Sequence, residues 1–170
     1  MLLIANRLNA LSFGKLMDVY REGNIENGRE LWPRERPERQ LALAEQDFYD
    51  YLSQTFFRVP GAFYALWQVN GRYVSALRME PYQEGWLLCA LETMPEHRRK
   101  GYAKALIMEV LMQMKLQKIY SHVSKRNLAS LRTHESCGFR KVLDHAVYAD
   151  GSVLSTSLTL MTETSKQQVQ

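Results

Sequence analysis

Hydrophobic positions recur with two different spacings along this chain, and the change from one spacing to the other predicts its elements. Apolar residues follow helical spacing over 8–22 and 38–56, and Gly23-Asn24 and Asn27-Gly28 predict a break after the first helix. Strand-like runs lie at 1–5, 62–69, 72–79 and 85–93. The second and third of these flank Asn70-Gly71, a dipeptide suited to the two-residue turn of a hairpin.

The second half of the chain predicts two further helices and three strands after the run from Gly85 to Thr93. That run is continuously apolar at its centre, which is typical of a strand in the middle of a sheet. Helices are predicted over 101–117 and over 127–137, the latter between Asn127 as an N-cap and Gly138 as a left-handed residue after its end. The remaining strands are 118–124, 139–149 and 152–161, and the last two are expected to pair across Asp150-Gly151.

This order of elements indicates one α/β domain over residues 1–162, followed by a polar tail at 163–170. A chain of 170 residues with 46% apolar and 24% charged residues is ordinary for one globular domain. The net charge of +4 suits an anionic ligand but is too small to indicate a nucleic-acid partner. Arginines and glutamates alternate over 29–39, which is typical of a solvated surface, so nucleic-acid binding there is the weakest hypothesis.

The first residues of the chain, its apolar stretches and its cysteines indicate the cellular compartment of the protein. The apolar run at 1–5 is short and lacks a leading basic segment, so we expect no signal peptide, and no apolar stretch approaches the length of a membrane span. Cys89 and Cys137 are too few for a disulfide scaffold, and Cys89 is expected to be a small core residue. We therefore expect a cytoplasmic protein with no membrane partner.

The turn between the strand 85–93 and the helix 101–117 has the composition of an anion-binding site. Its residues are Arg98, Arg99, Lys100, Gly101, Tyr102 and Ala103. Backbone N–H groups of a tight turn at a helix N-terminus converge on one point, and the helix dipole adds positive charge there. Glycine lets the backbone approach an oxyanion closely. The turn predicts a phosphate or pyrophosphate ligand, and the alternative is an ordinary connection whose basic residues are solvated.

A second motif lies downstream, and its residues are Asn127, Ser130, His134, Gly138 and Phe139. Together with Arg98-x-x-Gly101-x-Ala103 it resembles the GNAT superfamily of acyl-CoA-dependent N-acyltransferases. The pyrophosphate loop of that family reads Gln/Arg-x-x-Gly-x-Gly/Ala, and its second motif reads roughly Asn-x-x-Ala-x-x-x-Tyr-x-x-x-Gly-Phe. His134 stands where the family usually has Tyr. The resemblance covers about residues 85–140.

The resemblance implies a mixed, largely antiparallel sheet flanked by helices, and acetyl-CoA as the cofactor, with no metal. The strands 86–93 and 118–124 would run parallel and splay apart, so that the pantetheine arm enters the gap. Backbone N–H groups of 99–104 would hold the pyrophosphate, and Arg98 would add charge. The full set of implied cofactor-binding residues is Leu91, Thr93, Arg98, Arg99, Lys100, Gly101, Tyr102, Ala103, Lys104, Asn127 and Ser130.

Acylation of an amine needs a neutral nitrogen, whereas a lysine-like ammonium has a pKa near 10.4, so a general base is useful. His134 is the sharpest catalytic candidate because it shares a helix face with Asn127 and Ser130, and it would act on the leaving thiolate; the alternative is a surface imidazole. His122 would serve as a general base, or it is a hydrogen-bonded strand histidine. Glu92 is the other candidate base, unless it faces solvent.

The two motifs do not identify the amine that accepts the acetyl group. In the family the connection between the first two helices, here residues 23–40, commonly shapes the acceptor pocket. Glu22, Glu26, Glu30 and Trp32 suit a cationic amine, and they equally suit a solvated loop. The leading hypothesis is transfer of acetyl from acetyl-CoA to a primary amine of a small molecule or peptide, by direct attack on the thioester. The alternative is an acyl-CoA-binding or sensor module without turnover, and the oligomeric state is open between a monomer and a homodimer.

Overall fold

Residues 1–163, which the computed structural model describes, form four α-helices and nine strands. The helices are α1 Phe13–Leu31, α2 Pro37–Gln54, α3 Tyr102–Gln113 and α4 Leu128–Ser136. The strands are β1 Leu2–Ala5, β2 Phe63–Val69, β3 Arg72–Tyr82, β4 Gly85–Thr93, β5 Lys118–Ser124, β6 Arg140–Leu143, β7 Ala146–Val147, β8 Val153–Leu154 and β9 Ser157–Glu163. Within this part of the chain, no helix combines the length and the apolar character needed to cross a membrane.

Seven of these strands form one mostly antiparallel sheet in the order β1-β2-β3-β4-β5-β9-β6. The predicted central strand, β4, lies in the middle of this order, and its neighbour β5 runs parallel to it. The two strands pair only from Trp86 opposite Ile119 to Leu88 opposite Ser121. Beyond Leu88 they diverge and leave a gap in the sheet. The predicted α/β class with a mixed sheet is confirmed.

A hydrophobic core lies on each face of the sheet. On one face α1 and α2 contribute Leu16 and Leu52, which are fully buried in the same core as Tyr64. On the other face α3 contributes Leu106, which is fully buried in the same core as Leu88. Each side chain buried in this way stabilises the fold by about 1.5–3 kcal/mol. The sheet is therefore held from both sides.

The predicted break in the first helix is wrong. Helix α1 continues through Gly23-Asn24 and Asn27-Gly28 to Leu31. Gly28 is buried where α1 crosses α2, and a Cβ added there would lie 2.7 Å from the carbonyl oxygen of Gln40. This glycine allows two helices to pack closely and does not end one of them. The predicted loop at 23–40 is reduced to the residues between Leu31 and Pro37.

The last two predicted strands pair with each other as expected, through β6 with β9 and through β7 with β8, but neither of them is continuous. The run 139–149 divides into β6 and β7, and the run 152–161 divides into β8 and β9. Asp150-Gly151 joins β7 and β8, which form a separate two-stranded ribbon, while β9 pairs with both β5 and β6. β9 extends through Glu163, and the rest of the predicted polar tail lies outside the described residues.

Candidate active site

The turn between β4 and α3 has a backbone suited to binding an anion. Arg99 and Gly101 both have positive φ, 61° and 82°, and Gly101 immediately precedes α3. Alternating left-handed residues beside a helix N-terminus direct successive N–H groups toward one point. A Cβ built on Gly101 meets nothing within 4 Å, so the backbone angle, and not a lack of space, requires glycine there.

A groove of about 760 Å³ lies between this turn and α4. All of the predicted cofactor-binding residues line it except Lys100. Arg99, Lys104 and Arg132 also line it, and among residues 1–163 these three form no ion pair with a carboxylate. Their charges are thus available to an anionic ligand in the groove.

Arg98, also on this groove, is held by acidic side chains. Its guanidinium pairs with Glu22 of α1 and, at 3.2 Å, with Glu92 of β4, and its Nε donates to the carbonyl of Thr93 at 3.0 Å. The hydrogen bond to Glu22 raises the pKa of Arg98 further above its usual range. In this arrangement Arg98 fixes the turn against β4 and α1. The positive charge available to a diphosphate therefore comes from Arg99, Lys104 and Arg132 more than from Arg98.

His97 is a groove residue that the motifs do not indicate. Its Nδ1 is buried and has no hydrogen-bond partner among residues 1–163, and its ring meets Tyr102 edge-on at 5.8 Å. The only feature of the sequence that could have indicated His97 as a groove residue is its position immediately before Arg98. A convergent N–H turn, three available cations and an unpartnered polar atom fit the diphosphate and pantetheine of coenzyme A.

The gap between β4 and β5 adjoins the groove. A cavity of about 160 Å³ fills the gap, and Leu91, Asn127 and Ser130 line both it and the groove. β4 bulges at this point, because Ala90 has φ 51° and two residues of β4 oppose one of β3. Tyr20 of α1 donates to the carbonyl of Ala90 at 2.5 Å. The groove therefore continues into the sheet beside a strained strand position that no glycine marks in the sequence.

Asn127 occupies the junction as the predicted N-cap of α4. Its side-chain oxygen accepts a hydrogen bond from Ser130 N at 3.0 Å. Thr93, at the end of β4, has both main-chain groups engaged, because its N–H donates to Glu92 and its carbonyl accepts from Arg98. Of the two β4 positions predicted to contact the cofactor, Leu91 is the one that lines both the groove and the gap.

His134 lies inside the molecule, so the surface-imidazole alternative is wrong. Its side chain is 1% exposed, with Nδ1 2.8 Å from the carbonyl of Ser130 and Nε2 3.0 Å from Ser121 Oγ. Since a carbonyl only accepts, Nδ1 carries the proton and Nε2 accepts from Ser121. Burial lowers the pKa of His134, so the ring is neutral at pH 7.

His122 also lines the gap, and one of its ring nitrogens has no hydrogen-bond partner among residues 1–163. Its ring lies between Tyr82 and Tyr148, edge-on at 5.4 Å from each. Its Nε2 is buried and has no hydrogen-bond partner in the described chain, so the hydrogen-bonded alternative does not hold. Burial lowers the pKa of His122. A neutral imidazole with an unpartnered nitrogen beside the gap can accept a proton.

Glu92, the third predicted catalytic residue, is engaged by its neighbours. Its Oε1 accepts from the N–H of Thr93 at 3.0 Å and from Arg98 at 3.2 Å. The acidic residues expected in an acceptor loop lie instead on α1, where Glu22 reaches Arg98. The structure thus brings His122 and His134 together at the gap and places Glu92 in an ion pair beside the groove.

The sequence matches the model of the family described as "Acetyltransferase (GNAT) family" over residues 25–139. No curated protein sequence matches the chain. The matched residues include the turn, both histidines and α4, which are the parts that form the groove and the gap.

Solved structures with the same fold cover nearly the whole chain at low identity. A histone acetyltransferase HPA2 and related acetyltransferase from Corynebacterium glutamicum is 16% identical, with 99% of this chain and 98% of that one covered at a TM-score of 0.69. The PaiA N-acetyltransferase from Thermoplasma acidophilum, in complex with coenzyme A, is 13% identical, with 96% and 99% covered at 0.64. The ribosomal-protein-S18-alanine N-acetyltransferase from Escherichia coli is 16% identical, with 99% and 97% covered at 0.57.

Proposed function

The chain belongs to the acetyltransferase (GNAT) family, whose cofactor is acetyl-CoA, and from this premise we propose that it is an N-acetyltransferase acting on a primary amine. The acceptor is a small molecule or a peptide. The observation that carries the proposal is that the groove beside the turn at 98–101 and the gap cavity beside His122 share Leu91, Asn127 and Ser130 as lining residues. Free thiols at Cys89 and Cys137 support a cytoplasmic location.

When bound, acetyl-CoA supplies an acetyl group already activated as a thioester. The backbone N–H groups of 99–104 and the side chains of Arg99 and Lys104 would hold the diphosphate of the cofactor at one end of the groove. Asn127 and Leu91 border the passage where the groove narrows into the gap. These residues fix where the acetyl group would lie, which is between the layer of α3 and α4 and the layer of α1 and α2.

The proton of the acceptor amine goes to His122 in this proposal. At pH 7 a primary amine is mostly an ammonium ion, which must lose a proton before it attacks. Nε2 of His122 is unpartnered and its ring is neutral, whereas Glu92 already accepts two hydrogen bonds. The geometry favours His122 over Glu92 as the base.

For His134 the contacts favour a positioning role over the donation of a proton to the leaving sulfur. Its Nδ1–H donates to the Ser130 carbonyl, and its Nε2 accepts a hydrogen bond from the Ser121 hydroxyl. It thereby ties α4 to β5 on one side of the gap. The Tyr of the family would carry a free hydroxyl at this position, and this chain carries a ring that is fully hydrogen-bonded.

A panel of primary amines, each incubated with acetyl-CoA and assayed for thiol release, tests the proposal. We expect at least one amine to give saturable release above background hydrolysis. Calorimetric titration with coenzyme A, run beside this assay, distinguishes an enzyme from a sensor module of the same fold. The sensor module would bind coenzyme A but would turn over no amine. Binding without release across the panel would contradict the enzyme and support the sensor.

A further inference from the structure

A partly buried cationic side chain outside the groove has no carboxylate partner among residues 1–163. Arg78 of β3 lies on the face covered by α1 and α2, because Ala76 belongs to the core of that face and Leu77 to the opposite core. Its guanidinium lies over the rings of Tyr51 and Phe56, at 4.9 and 5.5 Å from their centroids. The aromatic faces give it a fixed position but no counter-charge.

The charge of Arg78 is unpaired among residues 1–163. Its Nε is buried without a hydrogen-bond partner, and no carboxylate oxygen lies within 4.0 Å of its guanidinium. Burial raises the pKa of the neighbouring Tyr51, Tyr64 and Cys89, that of Cys89 to about 11, so these groups stay neutral at pH 7. The side chain is half-buried and its Nε is shielded from water, so an anion that binds there would offset part of the desolvation cost of the charge.

The guanidinium borders a chamber of about 370 Å³ between α1, α2 and β3, a volume typical of small-molecule sites. Asn24 and Asn27 of α1 also line it. Asn24 is 2% exposed, and in the described chain its amide donates only to the sulfur of Met17, at 3.4 Å. A thioether is a weak acceptor, so a second polar group of the chamber has hydrogen-bonding capacity left over.

Arg78, on the wall of the chamber, lies one strand away from the gap where the acceptor amine would lie. Arg78 is directly opposite Cys89 of β4, and Cys89 lines the gap cavity. Phe48 of the chamber wall packs on Tyr20 at 5.1 Å, and Tyr20 donates to the Ala90 carbonyl at the bulge. One ligand can therefore place an amino group at the gap and another polar group one strand away, in the chamber.

From this arrangement we infer that the chamber binds a carboxylate of the acceptor, so that the substrates are amines carrying a carboxylate several bonds from the amino group. A planar carboxylate matches the paired donors of a guanidinium. A doubly charged phosphate fits less well, because Asp47 lines the chamber and Glu80 follows Arg78 on the same face of β3. ω-Amino acids and peptides with an acidic group have the required form. The inference rests on the proposed function for the role of the amine.

Matched pairs of substrates test the inference. Each pair is an ω-amino acid and the ω-amino alcohol of the same chain length, assayed by thiol release with acetyl-CoA. We expect kcat/KM to favour the amino acid by about 10–100-fold, the factor given by charged hydrogen bonds of about 1.5–3 kcal/mol. Arg78→Met should lower this ratio toward one, and Arg78→Lys should lower it partly because an ammonium lacks the paired donors.

Lys15→Met is the matched control, since Lys15 also lies over an aromatic ring, that of Tyr73 at 5.9 Å, but is exposed and does not line the chamber. The ratio should not change in this variant. A ratio near one in the parent, or a ratio that Arg78→Met leaves unaltered, would overturn the inference. If Arg78→Met does not fold, as judged by circular dichroism, Arg78→Lys gives the same test.

A separate measurement distinguishes failure of the chamber from failure of the enzyme. Calorimetric titration with an ω-amino acid, without acetyl-CoA, tests anion binding alone. Binding heat that is present in the parent and in Lys15→Met but lost in Arg78→Met supports anion binding in the chamber. If, in addition, no amine releases thiol, the absence of turnover counts only against the proposed function. No heat in the parent counts against the chamber whatever the turnover.

Discussion

At the scale of single residues, the two histidines beside the gap differ in what surrounds their ring nitrogens. His134 has both nitrogens within hydrogen-bonding distance of serine oxygens, whereas Nε2 of His122 has no partner among residues 1–163. Burial lowers the pKa of both. His122 is thus available to accept a proton, and His134 holds two elements together.

Replacement of His122 by Phe should remove the base and keep the packing between Tyr82 and Tyr148. We expect kcat/KM to fall by about 10²–10⁴-fold. Because burial lowers the pKa of His122, the parent should lose activity through protonation of this residue only below about pH 6.5, and the variant should lack this additional loss. His145→Phe is the control for removing a histidine. A variant rate within a few-fold of the parent would exclude His122 as the base.

Replacement of His134 by Phe should act mainly on stability. It leaves the Ser121 hydroxyl without its acceptor and removes the imidazole donor to the Ser130 carbonyl, which costs about 1–3 kcal/mol of unfolding free energy. In the parent, the unfolded chain binds a proton at this histidine near pH 6.5 while the folded chain resists it, so stability falls as the pH drops below about 6.5. Urea unfolding at several pH values should show this fall reduced in the variant. Unaltered stability with lost turnover would instead support a direct catalytic role.

At the scale of elements, two of the three glycines of α1 have opposite surroundings. Gly28 lies against Gln40 of α2, with 2.7 Å between its built Cβ and the carbonyl oxygen, while Gly14 has nothing within 4 Å. Gly28→Ala should destabilise the chain by about 1–3 kcal/mol through overpacking. Gly14→Ala should stabilise it by about 0.5–1 kcal/mol through helix propensity. Thermal unfolding of both variants measures the difference, and equal shifts would contradict the close packing of α1 on α2.

The elements around the groove could be predicted from sequence because their signals are local. Arg98-x-x-Gly101 and the cap at Asn127 depend on backbone chemistry that neighbouring residues determine. The extent of α1 could not be predicted, because Gly28 is compatible with a turn until α2 is placed against it. The bulge at Ala90 and the unpaired Arg78 depend on pairing between β3 and β4, and no local pattern in the chain marks either of them.

At the scale of the whole molecule, the groove beside α3 and α4 and the chamber beneath α1 and α2 lie on different sides of the sheet. The groove beside α3 and α4 would receive the cofactor, and the chamber beneath α1 and α2 would receive the acceptor. Tyr20 and the pairing of Arg98 with Glu22 connect α1 to β4 and to the turn. Both partners of the reaction would therefore be positioned from the same central strand.

Binding of coenzyme A at the turn between β4 and α3 is the step on which every other part of the mechanism depends, and calorimetric titration measures it directly. The parent should bind saturably. Gly101→Glu should bind at least about 100-fold more weakly, because it adds a carboxylate to the site that would hold the diphosphate. Gly71→Glu, at another open glycine with positive φ, imposes similar backbone strain at a position that does not line the groove, and it should bind as the parent does. No heat with the parent, or parent-like affinity in Gly101→Glu, would contradict the assignment of this turn.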